Sequence, residues 1–554
     1  MTRLSPRRVF GVLILATSVG CGGARSGSEE GIDEDARGRV RTSREDRVLL
    51  TQFNEISAVA ASQRHLFIAT PFGLGIMDRQ FSRWLPPVTV ADGFPRDQAT
   101  VLAADPASDA VWIGAIGQVV VYRPSVDVLT RIPLAGIVEQ IAFERATTNA
   151  YVRASGAWHR VSFSGLATRI NRSELPSSAE LTAPSTLEDV YREFPMLRAF
   201  ERLLTRDSNL RNYPVTSGTR APERSEVWLG TWGDGVFQVD PLFQQATQRP
   251  FGLLDRGAGA ITRGADGVWI AGLGVGLRPR GGVTFASSEL QAWRWMTGPG
   301  NSPLAGTRAA ALAMREDILW VGTDRGLARL STRNENDLEF WSALNGLPSD
   351  QVLSLAPRQG GTWVGTTRGL VFVSDSGRRK ARNRVVSPTL ADGTAIRALL
   401  LTGDTLWIGS DAGLLLLPPG GENRLVRAAA VTREQRLARP IRALARNDSV
   451  VAIATESEVI RIDITTGKLR PRIDFPGAGT VRDIRSLAMD EQTLWIGGGF
   501  GAVMIRTADG LTKPVRPSGV FHEVEDMVLT NEYVWLATAD GVTRLRRLSD
   551  GSVY

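Results

Sequence analysis

Along most of this chain, short apolar runs rich in Val, Ile and Leu alternate with polar turns built from Gly, Pro, Asp and Asn. One stretch shows the pattern in full. Val352-Leu353-Ser354-Leu355-Ala356 is followed by Trp363-Val364-Gly365-Thr366, a turn closed by Gly369, and then Leu370-Val371-Phe372-Val373. Runs of this length and composition, bounded by turn formers, predict β-strands. They are nearly continuous in apolar character, which predicts burial on both faces.

The central phrase is an aromatic residue, a β-branched residue or Leu, a small residue, Thr or Ser, and a turn closed by Gly. It starts at Phe67, Trp112, Tyr151, Trp228, Trp269, Trp320, Trp363, Trp407, Ala452, Trp495 and Trp535, with degenerate copies at Tyr151 and Ala452. From Trp320 onward the successive offsets are 43, 44, 45, 43 and 40 residues. That is the period of a four-stranded propeller blade. The predicted fold class is therefore all-β, with tandem β-propellers of about eleven four-stranded units. In this reading the Trp fills the wedge between blades, the small residue two positions later allows close approach, and the closing Gly supplies a turn with φ > 0.

Gly346-Leu347-Pro348-Ser349-Asp350-Gln351-Val352, followed by Gly361-Thr362-Trp363-Val364-Gly365-Thr366-Thr367-Arg368-Gly369-Leu370, closely resembles the two-component regulator propeller repeat. The resemblance spans roughly residues 50 to 548 and is strongest at the units of Trp320, Trp363, Trp407 and Trp495. It implies a ligand-sensor propeller of the kind found in periplasmic sensor halves and in secreted or lipid-anchored proteins. No transmembrane span or kinase domain follows Leu545, so the expectation is a stand-alone lipoprotein that passes any signal to another molecule.

The spacing breaks once, where 77 residues separate Tyr151 from Trp228. Ser185-Thr186-Leu187-Glu188 has a capping-box pattern, and Leu187, Val190, Tyr191, Phe194, Leu197, Phe200, Leu203 and Leu204 follow at helical spacing with Pro195 dividing them. A helical insertion over about residues 165–224 is expected, either as a cap on a ring face or as a docking arm. Single rings usually hold four to eight blades. The first propeller is accordingly placed at 47–304 and the second at 305–554, with seven plus four blades or one large ring as alternatives.

Residues 1–20 combine Arg3, Arg7 and Arg8 with an apolar run from Val9 to Leu15 and small residues up to Gly20, which is the form of a secretory signal. Pro6-Arg7-Arg8-Val9-Phe10 also resembles a twin-arginine signal. Cys21, the only cysteine, stands where a bacterial lipobox places its acylated residue, and Gly22 after it favours the outer membrane. Residues 21–46 are rich in Gly, Ser and charge and are expected to form a disordered tether. The predicted location is the bacterial envelope, with lipid as the only membrane contact.

The formal charge is +7, and it falls to +4 without the three signal arginines. No basic stripe interleaved with aromatics accompanies it, and the run at 378–384 reads as a loop, so nucleic acid is not an expected partner. The three histidines, His65, His159 and His522, lie in distant units without metal-ligand spacing. No catalytic residue, metal or cofactor is expected, and turn aspartates such as Asp324, Asp411 and Asp540 read as ordinary turn residues.

One constellation stands out. Ile396-Arg397-Ala398-Leu399, Ile441-Arg442-Ala443-Leu444 and Ile484-Arg485-Ser486-Leu487 open three consecutive units, and Glu525 with Asp526 occupies the aligned place in the next. In register, Arg397, Arg442 and Arg485 would stand side by side around a central channel. They would either pair with carboxylates of neighbouring blades or form an anion-binding funnel. The functional expectation is a non-enzymatic recognition protein for an envelope protein or an acidic oligosaccharide. The alternatives are an envelope assembly or secretion scaffold and a polysaccharide hydrolase or lyase.

Overall fold

Most repeat units fold as an antiparallel sheet that follows the order of the chain. The computed structural model describes residues 44–553 except positions 146, 148, 163–164, 205, 207–210, 223–225, 243–244, 275–279, 299–301, 305, 335, 376–389, 420–424, 429–431 and 473–482. The signal segment, Cys21, the tether up to residue 43 and the run at 378–384 lie outside the described residues. Arg44–Asp46, the end of the expected tether, form a 3-10 turn in which Asp46 is buried.

The described residues form eleven blades, as the repeats predict. Blade 1 comprises residues 58–89, and blades 2 and 3 share the long strand Val128–Glu144 within one continuous sheet. Blade 4 is 215–249, blade 5 is 258–296 and blade 6 is 309–341. Blades 7 to 10 start at Val352, Ile396, Ala443 and Ile484. Blade 11 combines Asp526–Leu529, Tyr533–Thr538 and Gly541–Arg546 with the N-terminal strand Arg47–Leu50, in the register Leu49↔Thr543. The two ends of the described chain therefore close one sheet.

The phrase works as a packing device. Trp228, Trp320, Trp495 and Trp535 are buried. A Cβ on Gly322 would lie 2.6 Å from Val352, and one on Gly409 would lie 2.8 Å from Ile441, each the apolar residue that opens the next blade. The buried Thr or Ser locks the turn: Ser410 Oγ donates to Gly413 O at 2.7 Å and accepts from Ala412 N at 3.2 Å. Gly413 has φ 103°, which favours glycine.

The innermost strand of blade 5, Ala258–Arg263, packs against those of blade 6, Ala309–Arg315, and blade 11, Asp526–Leu529. Blades 5 to 11 thus close a ring of seven, leaving blades 1 to 4 as the other unit. The expected division at 304/305 is corrected: blade 5 belongs to the C-terminal ring, because its inner strand completes the circle. Between the rings, Phe251 stacks on Trp84 of blade 1 at 4.1 Å and meets Trp293 of blade 5 edge-on at 5.4 Å.

The insertion is shorter than expected, since Ala167–Ile170 is the outer strand of blade 3 and Val215–Arg220 the first of blade 4. Helix α1, Leu187–Glu193, is capped by Thr186 with Asp189 as its partner, one place later than Ser185 and Glu188. Pro195 opens helix α2, Pro195–Leu204. Val190, Tyr191 and Leu197 pack on Val227, Leu229, Phe237 and Val239 of blade 4. The insertion covers a blade flank, the place a neighbouring blade would otherwise fill.

Gly409→Val should force the side chain into Ile441 and lower stability by about 1–3 kcal/mol, the usual cost of overpacking. Urea unfolding checks this, and an unchanged midpoint would show that blades 8 and 9 are not in tight register.

Candidate functional site at the mouth of the seven-blade ring

In five innermost strands of the ring the pairing slips by one residue, and the skipped residues are Gly259, Ala310, Leu353, Arg397 and Arg485. In the other two, Arg442 and Glu525 stand just before the paired strand, their N–H groups donating to Ala454 O at 2.8 Å and Ala537 O at 2.9 Å. A bulge releases one residue from the ladder and re-aims its side chain. All seven residues line one cavity of about 330 Å³, together with Leu273, Arg308, Ala309, Asp483 and Ile484. The predicted set Arg397, Arg442, Arg485 and Glu525 is therefore gathered at one mouth.

The arginines do not stand as a bare cationic ring. Arg397 is held by Asp411 in two hydrogen bonds, at 2.5 and 3.0 Å. Those bonds foremost, opposed by burial, hold the Asp411 carboxyl below the usual carboxylate range. Arg442 lies 4.0 Å from the same Asp411, and its side chain makes no hydrogen bond among the described residues. Arg485 contacts Asp483 at 2.7 Å, Glu523 at 2.9 Å and Glu525 at 2.5 Å. Burial acts to lower the Arg485 pKa, but the bonds and attraction of these carboxylates outweigh it and raise it. Asp483 has φ 60°, a conformation that Asp adopts more readily than most residues.

Pairing with the next blade, one of the two expectations for the arginines, holds for Arg485 and Glu525. Arg397 instead takes the turn aspartate of its own blade. Asp526 is not at the mouth: its Oδ2 accepts from Ile261 N at 2.9 Å and its Oδ1 from Met527 N at 2.8 Å, tying blade 11 to blade 5. Burial pushes its pKa up to about 6. Sequence reasoning missed Asp411, Asp483 and Glu523 as partners, and also the small and apolar positions Gly259, Ala310 and Leu353. Aligning all the inner strands at the residue of Arg397 exposes that last group.

A cavity of about 560 Å³ in the four-blade unit is lined by Asp105 and Asp109. Asp105 binds Ala107 N and Ser108 Oγ, and Asp109 lies 2.7 Å from His65 Nδ1. Among the described residues no three His, Cys, Asp or Glu side chains are grouped to hold a metal ion.

No known family's sequence profile matches this chain, and no curated protein sequence does. Solved structures share the propeller fold. PorZ, described as an essential surface component of the type-IX secretion system of Porphyromonas gingivalis, is 11% identical, with 91% of this chain and 87% of that one covered and a TM-score of 0.52. The extracellular domain of a hybrid two-component system from B. thetaiotaomicron is 12% identical over 88% of this chain and 70% of that one, with a TM-score of 0.42. Virginiamycin B lyase from Staphylococcus aureus is 15% identical over 53% of this chain and 96% of its own, also with a TM-score of 0.42. The likeness to PorZ bears on the fold alone.

The raised Asp526 pKa has a signed consequence. Between its unfolded value of 3.8 and about 6, the native state binds this proton more tightly than the unfolded chain, so this group's contribution to stability falls as pH rises through that window. Asp526→Asn keeps an oxygen acceptor for Ile261 and removes the charge. Relative to wild type it should gain up to about 3 kcal/mol as pH rises from 4 to 7. Urea midpoints across that range check this, and parallel curves would contradict it.

Proposed function

We propose that this chain is a non-enzymatic, extracytoplasmic recognition protein that binds a ligand or partner at the mouth of its seven-blade ring and is held to the outer membrane by lipid on Cys21. The observation that carries the reading is convergence: seven blades each deliver one residue to a single cavity. Most of the remaining ring repeats the same packing phrase, so these positions are where the repeat can vary without loss of fold. The envelope location rests on the signal pattern and on Cys21. Among the described residues no helix is long and apolar enough to cross a membrane. The likeness to PorZ, described as a surface component, agrees with a surface role.

A hydrolase or lyase reading is less well supported, because the carboxylates at the mouth are engaged with Arg485 rather than set opposite one another across an open site. A scaffold reading draws on a different feature. Val520 and Phe521 are 64% and 50% exposed on a turn pinned by Asp540, beside a small cleft between the rings.

Two experiments test the proposal. Tagged, lipidated protein should capture a partner from detergent-solubilised envelope, and the Arg397, Arg442 and Arg485 to Ala triple variant, once shown to fold, should lose it. A partner retained by the variant, but lost from Val520→Ser/Phe521→Ser, would favour the scaffold. Cys21→Ser should abolish labelling by radioactive palmitate and move the protein out of the membrane fraction. Unchanged fractionation would overturn the anchor.

A further inference from the structure

The charges at the mouth are sorted by sector around the ring. On blades 8 and 9, Arg397 and Arg442 share one carboxylate, Asp411, and this leaves an excess of positive charge. On blades 10 and 11, Arg485 stands among Asp483, Glu523 and Glu525, and this leaves an excess of negative charge. Blades 5 to 7 complete the circle with Gly259, Leu273, Ala309, Ala310 and Leu353, where the one charged side chain lining the cavity is Arg308. The cavity, about 330 Å³, is at the small end of the roughly 300–1,000 Å³ range of ligand sites.

Resting on the recognition role proposed for this mouth, we infer that it takes a small zwitterion with an aliphatic body, of the size of a dipeptide. Its carboxylate meets Arg442, the guanidinium of blades 8 and 9 whose one counter-ion contact is at 4.0 Å, where a planar fork can donate to both oxygens. Its ammonium enters the Asp483, Glu523 and Glu525 sector, and its aliphatic side chain covers Leu353 and Leu273. A simple anion gains at one sector and is repelled by the other, and an acidic oligosaccharide carries the repelled charge many times over. The anion-binding funnel expected from the arginines alone is therefore replaced by a dipolar site. The arginines set one pole, and the carboxylates that accompany them set the other.

Calorimetric titration of the mature, detergent-solubilised protein tests this with four probes: the dipeptide Ala-Leu, its N-acetyl form, its C-terminal amide, and galacturonate. Ala-Leu should bind, and each capped form should bind at least about tenfold more weakly, a loss of about 1.4 kcal/mol. Arg442→Gln should abolish the distinction between acid and amide while leaving the effect of acetylation, and Glu525→Gln should do the reverse. Both variants are first checked for unchanged thermal unfolding. Equal binding of the capped forms, tighter binding of galacturonate, or no binding of Ala-Leu at about 10 mM would overturn the inference. If Ala-Leu fails while an envelope partner is captured and then lost in the triple arginine variant, recognition at the mouth stands and only the ligand class falls. If both fail, so does the recognition role.

Discussion

The two rings depend on a double crossing of the chain packed around Phe251. After contributing Arg47–Leu50 to blade 11, the chain leaves the seven-blade ring through residues 51–56, builds blades 1 to 4, and returns through 250–257. The two crossing segments lie side by side in parallel: Leu253 N donates to Thr51 O at 2.9 Å, and Asn54 Nδ2 donates to Leu254 O at 2.8 Å. Phe251 joins Phe53, Trp84 and Trp293 in one aromatic cluster that touches both units. Removing a buried aromatic of this kind costs about 3–5 kcal/mol. Here the loss would fall on both units at once, because the same core contains Val59 and Trp228 on one side and Ile261 and Trp535 on the other.

The seven-blade ring follows from that crossing. Its last blade is completed by a strand from the start of the chain, and blade 5 begins only after the return, so the circle closes when both ends of the detour are fixed. Asp526 makes the closure specific at the level of one hydrogen bond, by accepting from Ile261 N across the seam. Its carboxylate is then desolvated with no cation beside it among the described residues, which explains its raised pKa. The seam thus trades some stability near neutral pH for registration between the last and first blades of the ring.

Much of this was legible in the sequence because blade packing is local and repeated. The Trp, the small residue and the closing Gly each act within one unit or against the next, so a period of about 43 residues carries the whole instruction. The buried Thr or Ser was visible too, although its role as the lock on the turn was not. The ring partition was not legible, because the phrase of Trp269 resembles its neighbours whichever circle it joins, and the deciding contact spans Ile261 to Asp526. The place of α1 and α2 was hidden for a related reason. An amphipathic stripe states that a face must be covered, but blade 4 was one of several surfaces that could cover it.

The mouth shows the same division between local and non-local information. Register alone brought Arg397, Arg442 and Arg485 together, because the same position is freed in each blade, by a bulge at Arg397 and Arg485 and by standing just before the paired strand at Arg442. Their electrostatic character depends on Asp411, from a turn between two strands, and on Asp483 and Glu523, which precede the strands they serve. Guanidiniums on adjacent inner strands repel at short range unless carboxylates stand among them. Once those carboxylates are present, the net charge says little and their distribution says most. On blades 8 and 9, Arg442 is the point where that distribution leaves a donor fork poorly matched. A ligand carboxylate placed there displaces only water and a distant contact, whereas at Arg397 or Arg485 it would have to displace formed hydrogen bonds.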